Sequence, residues 1–243
     1  MSELKNRLIF SQLSHKGNGP DPLHTHAIST VAAGFGDGQR RDFGLFILTQ
    51  GYSENPSMAV KGAAMVSRAI ANEVIQKFYY PVLSQDLNLP PLADTFTKTV
   101  TDTDHYLSTK LGNTAVALTA AVVIDGQLYL VHTGNNRAYL TNGDKLQQLT
   151  KDHSSATPTA DELRQMVGYG NVQIDFSTHQ LPANAKIMIC NSGVWQVIAS
   201  EEIAAVLSNY GTPESATQAL DALFEERDNG NVTAILIQKP YAN

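Results

Sequence analysis

The middle of the chain carries a strong β-hairpin signal, which limits the possible folds more than any other feature. Residues 114–124 form a nearly continuous apolar run, Asp125-Gly126 follows, and residues 128–133 form a second apolar stretch. An Asp-Gly pair between two such stretches is typical of the tight turn of an antiparallel hairpin, because glycine tolerates a positive φ. The sequence therefore predicts an antiparallel strand pair at the centre of the chain.

A second hairpin signal follows directly. Residues 138–141 and 145–149 flank Asn142-Gly143, which is another favoured hairpin turn. A third glycine-rich stretch, residues 34–38, predicts a turn between two early strands and does not match a dinucleotide-binding fingerprint. A doubly wound parallel sheet does not fit so many hairpin connections.

Helical and strand patterns alternate around this centre. Apolar spacing predicts helices over residues 58–79, 92–111, 161–166, 201–208 and 214–226, with prolines at 81, 90 and 91 breaking the pattern. Further strands are predicted over residues 8–10, 27–33, 43–49, 172–180, 186–190 and 232–238. Because apolar sheet faces need cover, the pattern indicates a layered protein of antiparallel sheets and helices.

Composition narrows the class of protein. The 243 residues have 42% hydrophobic content and a net charge of −6, without a basic stripe, so nucleic acid is not an expected partner. No long apolar run follows the N-terminus, so we expect no membrane span and a cytoplasmic location. Cys190 is the sole cysteine and lies in an apolar stretch, which favours a core side chain over a reactive thiol. We expect a single domain over residues 1–243.

One block carries a family resemblance. Residues 134–140 read GNNRAYL and residues 149–154 read LTKDHS. The block resembles the metal-dependent Ser/Thr protein phosphatases of type 2C (PP2C, PPM), which usually have GDSRAYL and LTxDHS at these places. Three other stretches agree in the same order: residues 45–51 resemble the strand that ends in ADGMGG, residues 187–195 resemble LLLCSDGLWD, and residues 231–233 resemble the end of DNVT.

The resemblance implies an α+β fold, a four-layer αββα sandwich in which helices flank two largely antiparallel β-sheets. It also implies a site with two divalent cations, Mg²⁺ or Mn²⁺, held by aspartates and activating a water that attacks phosphate. Matched position by position, four family aspartates are replaced. The vestigial site positions are Gln50, Gly51, Asn135, Ser192, Gly193, Gly230 and Asn231.

These replacements predict that the metal site is lost. Hard divalent cations prefer carboxylate oxygens, whereas glutamine, asparagine and serine offer neutral oxygens and glycine offers none from a side chain. We therefore expect no cofactor, no metal ligands and no catalytic residues. A different pairing of the last block makes Asp228 the family aspartate, which restores one weak ligand. The N-terminal acidic motif and the phosphate-binding arginine have no match in the sequence.

Other polar clusters are interpreted as structural. His24 and His26 are expected to be exposed loop residues, because no cysteine or carboxylate cluster accompanies them. His132 and His153 lie inside the family-like block, where structural roles are expected. The group at Asp102, Asp104 and His105 is expected on the exposed face of a helix.

The leading hypothesis is an inactive relative, a pseudophosphatase that acts in Ser/Thr phosphorylation signalling by binding or regulating a protein, such as a phosphoprotein or a Ser/Thr kinase. Two alternatives remain open at this point. One is a weak metal-dependent protein Ser/Thr phosphatase that uses Asp228, and the other is a purely structural domain whose pocket is filled by side chains.

Overall fold

The computed structural model describes residues 8–16, 24–36, 39–84, 88–142, 145–155, 157–227 and 230–239. The strands are β1 (Ile9–His15), β2 (Thr25–Gly36), β3 (Gln39–Tyr52), β4 (Ala115–Ile124), β5 (Gln127–Thr133), β6 (Arg137–Asn142), β7 (Lys145–Gln148), β8 (Asp175–Gln180), β9 (Lys186–Cys190) and β10 (Val232–Gln238). The helices are α1 (Pro56–Val74), α2 (Tyr80–Ser84), α3 (Leu92–Lys110), α4 (Ala160–Leu163), α5 (Ser192–Val197), α6 (Ser200–Asn209) and α7 (Pro213–Glu225), with a π-helical turn over Ile75–Tyr79 between α1 and α2.

The strands form two antiparallel sheets. One has the order β1-β10-β9-β6-β7 and the other has the order β2-β3-β4-β5-β8. The predicted central hairpin joins β4 to β5, with Ile124 paired to Gln127 and positive φ angles at Asp125 and Gly126. β6 and β7 form the second hairpin around residues 143–144, which lie outside the described residues. The early turn also connects paired strands, although its residues 37–38 are not described.

Alternation along β3 separates two cores. Phe43, Leu45 and Ile47 pack in the cluster that contains apolar residues of α1 and α3. Phe46 and Leu48 point the other way and pack with residues of β9 and β10 from the second sheet. This alternation is what a strand buried on both faces produces.

A third core completes the layers. Met188 and Cys190 on β9 pack against α6 and α7 on the outer face of the second sheet. Burial raises the pKa of the Cys190 thiol, as expected for a core side chain. The order of layers is helix, sheet, sheet, helix, so the α+β four-layer sandwich expected from the sequence is confirmed.

One helix boundary and one short helix differ from the sequence prediction. Proline at position 81 does not end the helical path, because the π-turn widens the helix before it and α2 continues to Ser84. α5 was not predicted, since its six residues are too few for a periodic pattern.

Within the described residues, the helices are all too short or too polar to cross a bilayer.

Candidate functional site

The candidate site lies at one end of the sandwich, where a strand of each sheet ends. Gln50 lies near the end of β3, and Ser192 begins α5, one residue (Asn191) after the end of β9. The Ser192 hydroxyl donates to Gln50 Oε1 over 3.4 Å, so the two sheets meet through neutral side chains. The structure therefore brings together two positions that the sequence comparison matched to metal-binding aspartates.

Asn231 joins the same region through backbone contacts. Asn191 Nδ2 donates to the Asn231 carbonyl over 2.8 Å, and Asn191 Oδ1 accepts from the Thr233 amide over 2.9 Å. A Cβ atom on Gly193 would lie 2.2 Å from the Asn231 carbonyl oxygen. Glycine is thus required at position 193 by the close approach of two backbones. Gly230 is exposed, and a Cβ placed on it would meet no atom within 4 Å.

Asn135 is buried between β5 and β6, and protein groups use its polar atoms. Its Oδ1 accepts from the Tyr52 hydroxyl over 2.8 Å, and its Nδ2 donates to the Ser155 carbonyl over 2.9 Å. The Trp195 indole Nε1 donates to the Asn135 carbonyl over 3.1 Å. Through these bonds, the buried Asn135 links β3, the segment after β7, and α5.

Tyr52 was not identified from the sequence, but the structure places its hydroxyl in contact with Asn135. Burial raises the pKa of its phenol to about 12, while hydrogen bonds with Asn135 and Ser192 act in the opposite direction. The hydroxyl therefore stays protonated at neutral pH and serves as a donor to Asn135.

Thr25 also belongs to the site and was missed, because the N-terminal acidic motif had no sequence match. It pairs with Gln50 in the β2–β3 ladder, and its hydroxyl lies 2.7 Å from that of Thr233 on β10. Register across the two strands, which the sequence alone does not provide, would have identified it.

The side chains assembled here are a poor match to a pair of divalent cations. Gln50, Asn135 and Ser192 contribute neutral groups, and so do Thr25 and Thr233. Among the described ranges, no three His, Cys, Asp or Glu side chains lie close enough to hold a metal ion together. Asp228, the alternative ligand, lies outside the described residues.

Arg137 and Asp152 form a frame beside the site. The Arg137 guanidinium makes three contacts with the Asp152 carboxylate: Nε–Oδ1 at 3.1 Å, Nε–Oδ2 at 3.0 Å and Nη2–Oδ2 at 2.7 Å. It also lies 3.8 Å from the centroid of the Trp195 ring, a cation–π geometry. Because the Trp195 indole also donates to the Asn135 carbonyl, this frame is connected to the buried Asn135.

His132 and His153 have the structural positions that the sequence predicted. His132 Nδ1 lies 2.8 Å from the Thr119 hydroxyl, and its Nε2 lies 3.1 Å from the Lys151 carbonyl. His153 Nε2 lies 2.8 Å from Asp175 Oδ2, with the two imidazole centroids 5.0 Å apart. Both rings thus connect β5 and β8 to the segment after β7.

This histidine pair leads to a prediction on acid stability. Burial, with the nearby His153, lowers the pKa of His132 from 6.5 to about 4. The unfolded chain binds a proton near pH 6.5 and the folded chain only near pH 4, so stability should fall as pH decreases through that window. The expected loss is about 3 kcal/mol, measured by urea denaturation at several pH values. His132→Gln should flatten this slope, whereas the same change at the exposed His105 should not; equal slopes in wild type and His132→Gln would contradict the assignment.

Two expectations about polar clusters are wrong. His26 lies inside β2 and His24 directly before it, and both are half-buried, because β2 begins at Thr25 and pairs with β3 along its full length. In the α3 cluster, Asp102 and His105 are exposed as expected, but Asp104 is 3% exposed. Its carboxylate accepts backbone hydrogen bonds from residues 168, 169, 170 and 172.

Comparisons with known proteins agree with this architecture. No protein-family model matches the chain. The serine/threonine phosphatase stp of Listeria innocua is 22% identical over 147 residues, which cover 53% of this chain and 58% of that protein. The chain spans about half the length of the first curated relatives it matches.

Solved structures show the same fold. The serine/threonine phosphatase of S. agalactiae superposes with a TM-score of 0.74 at 17% identity, covering 97% of this chain and 100% of that one. The catalytic domain of the phosphatase PstP, solved with two manganese ions, gives 0.68 at 18% identity and covers 95% and 97%. The chain thus has the fold of the Ser/Thr protein phosphatases of type 2C (PPM) and a low sequence similarity to them.

Proposed function

We propose that this chain is a catalytically inactive member of its family that acts by binding or regulating a protein in Ser/Thr phosphorylation signalling. The observation that carries the proposal is the neutral contact between Gln50 and Ser192, two positions that the family resemblance matches to metal-binding aspartates. A phosphatase domain of the same fold has been solved with two manganese ions. Here the two sheets meet through an amide and a hydroxyl.

Electrostatics supports this proposal. Two divalent cations about 4 Å apart repel by roughly 16 kcal/mol at an effective dielectric near 20, four times the figure for unit charges. Clustered carboxylates offset such repulsion, and neutral oxygens do not. Without the cations, the absence of clustered carboxylates is favourable, since it removes their mutual repulsion at the sheet ends.

We infer the class of partner from the similarity of this chain to Ser/Thr phosphatases. Relatives named as Ser/Thr phosphatases act on Ser/Thr-phosphorylated substrates, so a phosphoprotein or a Ser/Thr kinase is the partner we propose. A scaffold of this kind can compete with an active phosphatase for a shared partner without turning over phosphate. The alternative function, a weak metal-dependent phosphatase, requires Asp228 as an acidic metal ligand.

An assay with p-nitrophenyl phosphate and Mn²⁺ tests the proposal. We expect no hydrolysis above buffer, because no activated water forms without the metal pair. The stp phosphatase assayed in parallel serves as the positive control. Hydrolysis by the wild-type chain that disappears on adding a chelator would contradict the proposal, and loss of that activity in Asp228→Asn would identify the alternative ligand.

A further inference from the structure

Tyr52 lies where a side chain can block the site. It follows Gly51 at the end of β3, at the position where the family motif ADGMGG has methionine. Its ring is half-buried and packs against Ala115, Ala117 and Met166. Its hydroxyl reaches Asn135 Oδ1 at 2.8 Å, so the ring crosses from β3 toward the loop between β5 and β6.

The hydrogen bonds around Tyr52 leave few polar groups free for a ligand. Asn135 uses its amide oxygen for Tyr52 and its amide nitrogen for the Ser155 carbonyl. Gln50 Oε1 accepts from Ser192. Both polar atoms of the Asn135 amide and the amide oxygen of Gln50 thus already have protein partners, which stabilises a closed arrangement.

We infer that Tyr52 closes this site, because its hydroxyl is bonded to Asn135, one of the positions matched to the family aspartates, and its ring packs on β4 beside them. The missing carboxylates are one reason why divalent cations and phosphate should not bind here, and the closure by Tyr52 is a second. This inference rests on the proposed function and deepens it: a protein partner is recognised without its phosphoryl group entering the site.

The closure makes carboxylate restoration insufficient by itself. In Gln50→Asp/Ser192→Asp/Gly230→Asp, three acids return, and the open space around Gly230 accommodates its new side chain. The Tyr52 phenol still lies against Asn135, so we expect weak Mn²⁺ binding. Adding Tyr52→Met should raise the Mn²⁺ affinity at least about 10-fold, the scale on which neighbours of a metal site act.

Titration calorimetry with Mn²⁺ alone measures this difference. The matched control adds Tyr139→Phe to the triple variant, because Tyr139 is another buried phenol, bonded to Arg137. That control should leave the affinity of the triple variant unchanged. Equal Mn²⁺ affinity with and without Tyr52→Met, including no binding in either variant, would overturn the inference.

A measurement on the wild-type chain is independent of variant folding. Nitration with tetranitromethane, read residue by residue by mass spectrometry, should modify the exposed Tyr80, Tyr106 and Tyr210 while Tyr52 remains unmodified. Modification of Tyr52 together with those residues would show an open site and contradict the closure. If instead the proposed function is wrong, the wild-type chain will itself bind Mn²⁺ or hydrolyse p-nitrophenyl phosphate.

Discussion

Replacing Asp104 with alanine should lower the free energy of unfolding by about 3–5 kcal/mol, because several buried backbone donors lose their acceptor at once. Asp104 Oδ1 accepts from the amides of Gly168, Tyr169 and Gly170 at 2.6, 3.0 and 3.0 Å. The carboxylate thus fixes the turn that follows α4. Urea denaturation measures the loss of stability.

Asp102 provides the matched control for this change. It lies on the same helix, is exposed and pairs with Lys98, so Asp102→Ala should change stability by less than about 1 kcal/mol. Hydrogen exchange should accelerate selectively at the amides of residues 168–170 in Asp104→Ala. Equal effects of the two variants, or unchanged exchange at those amides, would contradict the anchoring role.

Gly51→Ala is the second change with a large expected effect. A Cβ atom there would lie 2.0 Å from the carbonyl oxygen of Ala59 and 2.6 Å from its carbonyl carbon. Backbone atoms cannot rotate away, so α1 must move relative to β3, and we expect a loss of about 3 kcal/mol or more. Thermal unfolding followed by circular dichroism measures the change.

Gly230→Ala is the control for Gly51→Ala. A Cβ atom at position 230 meets no atom within 4 Å, so stability should stay within about 0.5 kcal/mol of wild type. A Gly51→Ala protein as stable as Gly230→Ala would show that α1 does not pack as closely on β3 as the structure indicates.

The sheets were the most predictable part of the fold. The central hairpin could be predicted because Asp125-Gly126 marks a turn chemically, and the flanking runs are long enough to identify strands. β9 and β10 have the predicted bounds for the same reason. The start of β2 was missed because Thr25 belongs to the strand only through its pairing with Gln50.

Burial of single polar residues could not be predicted from local pattern. Asp104 lies between the exposed residues Asp102 and His105 on one helix, and only the distant turn at residues 168–172 explains its burial. Such contacts join residues more than sixty positions apart, so no window of sequence contains both partners.

The glycines of the site could be predicted from the sequence, whereas its closure by Tyr52 could not. Gly51 and Gly193 are required by close backbone approaches, and these requirements persist whatever chemistry the neighbouring Gln50 and Ser192 support. Tyr52 carried no recognisable signal, because its significance depends on a hydrogen bond to Asn135, eighty-three positions away. A motif therefore identified the scaffold, whereas the hydrogen bonds that close the site required the structure.

We propose that the neutral side chains of Gln50, Asn135 and Ser192 leave the site with too little negative charge to hold two divalent cations. Calorimetric titration of Mn²⁺ into the wild-type chain, free of chelator, tests this proposal. We expect no saturable heat up to millimolar Mn²⁺, and no rise in melting temperature over the same range. Saturable binding of two ions per chain with micromolar dissociation constants would contradict the claim.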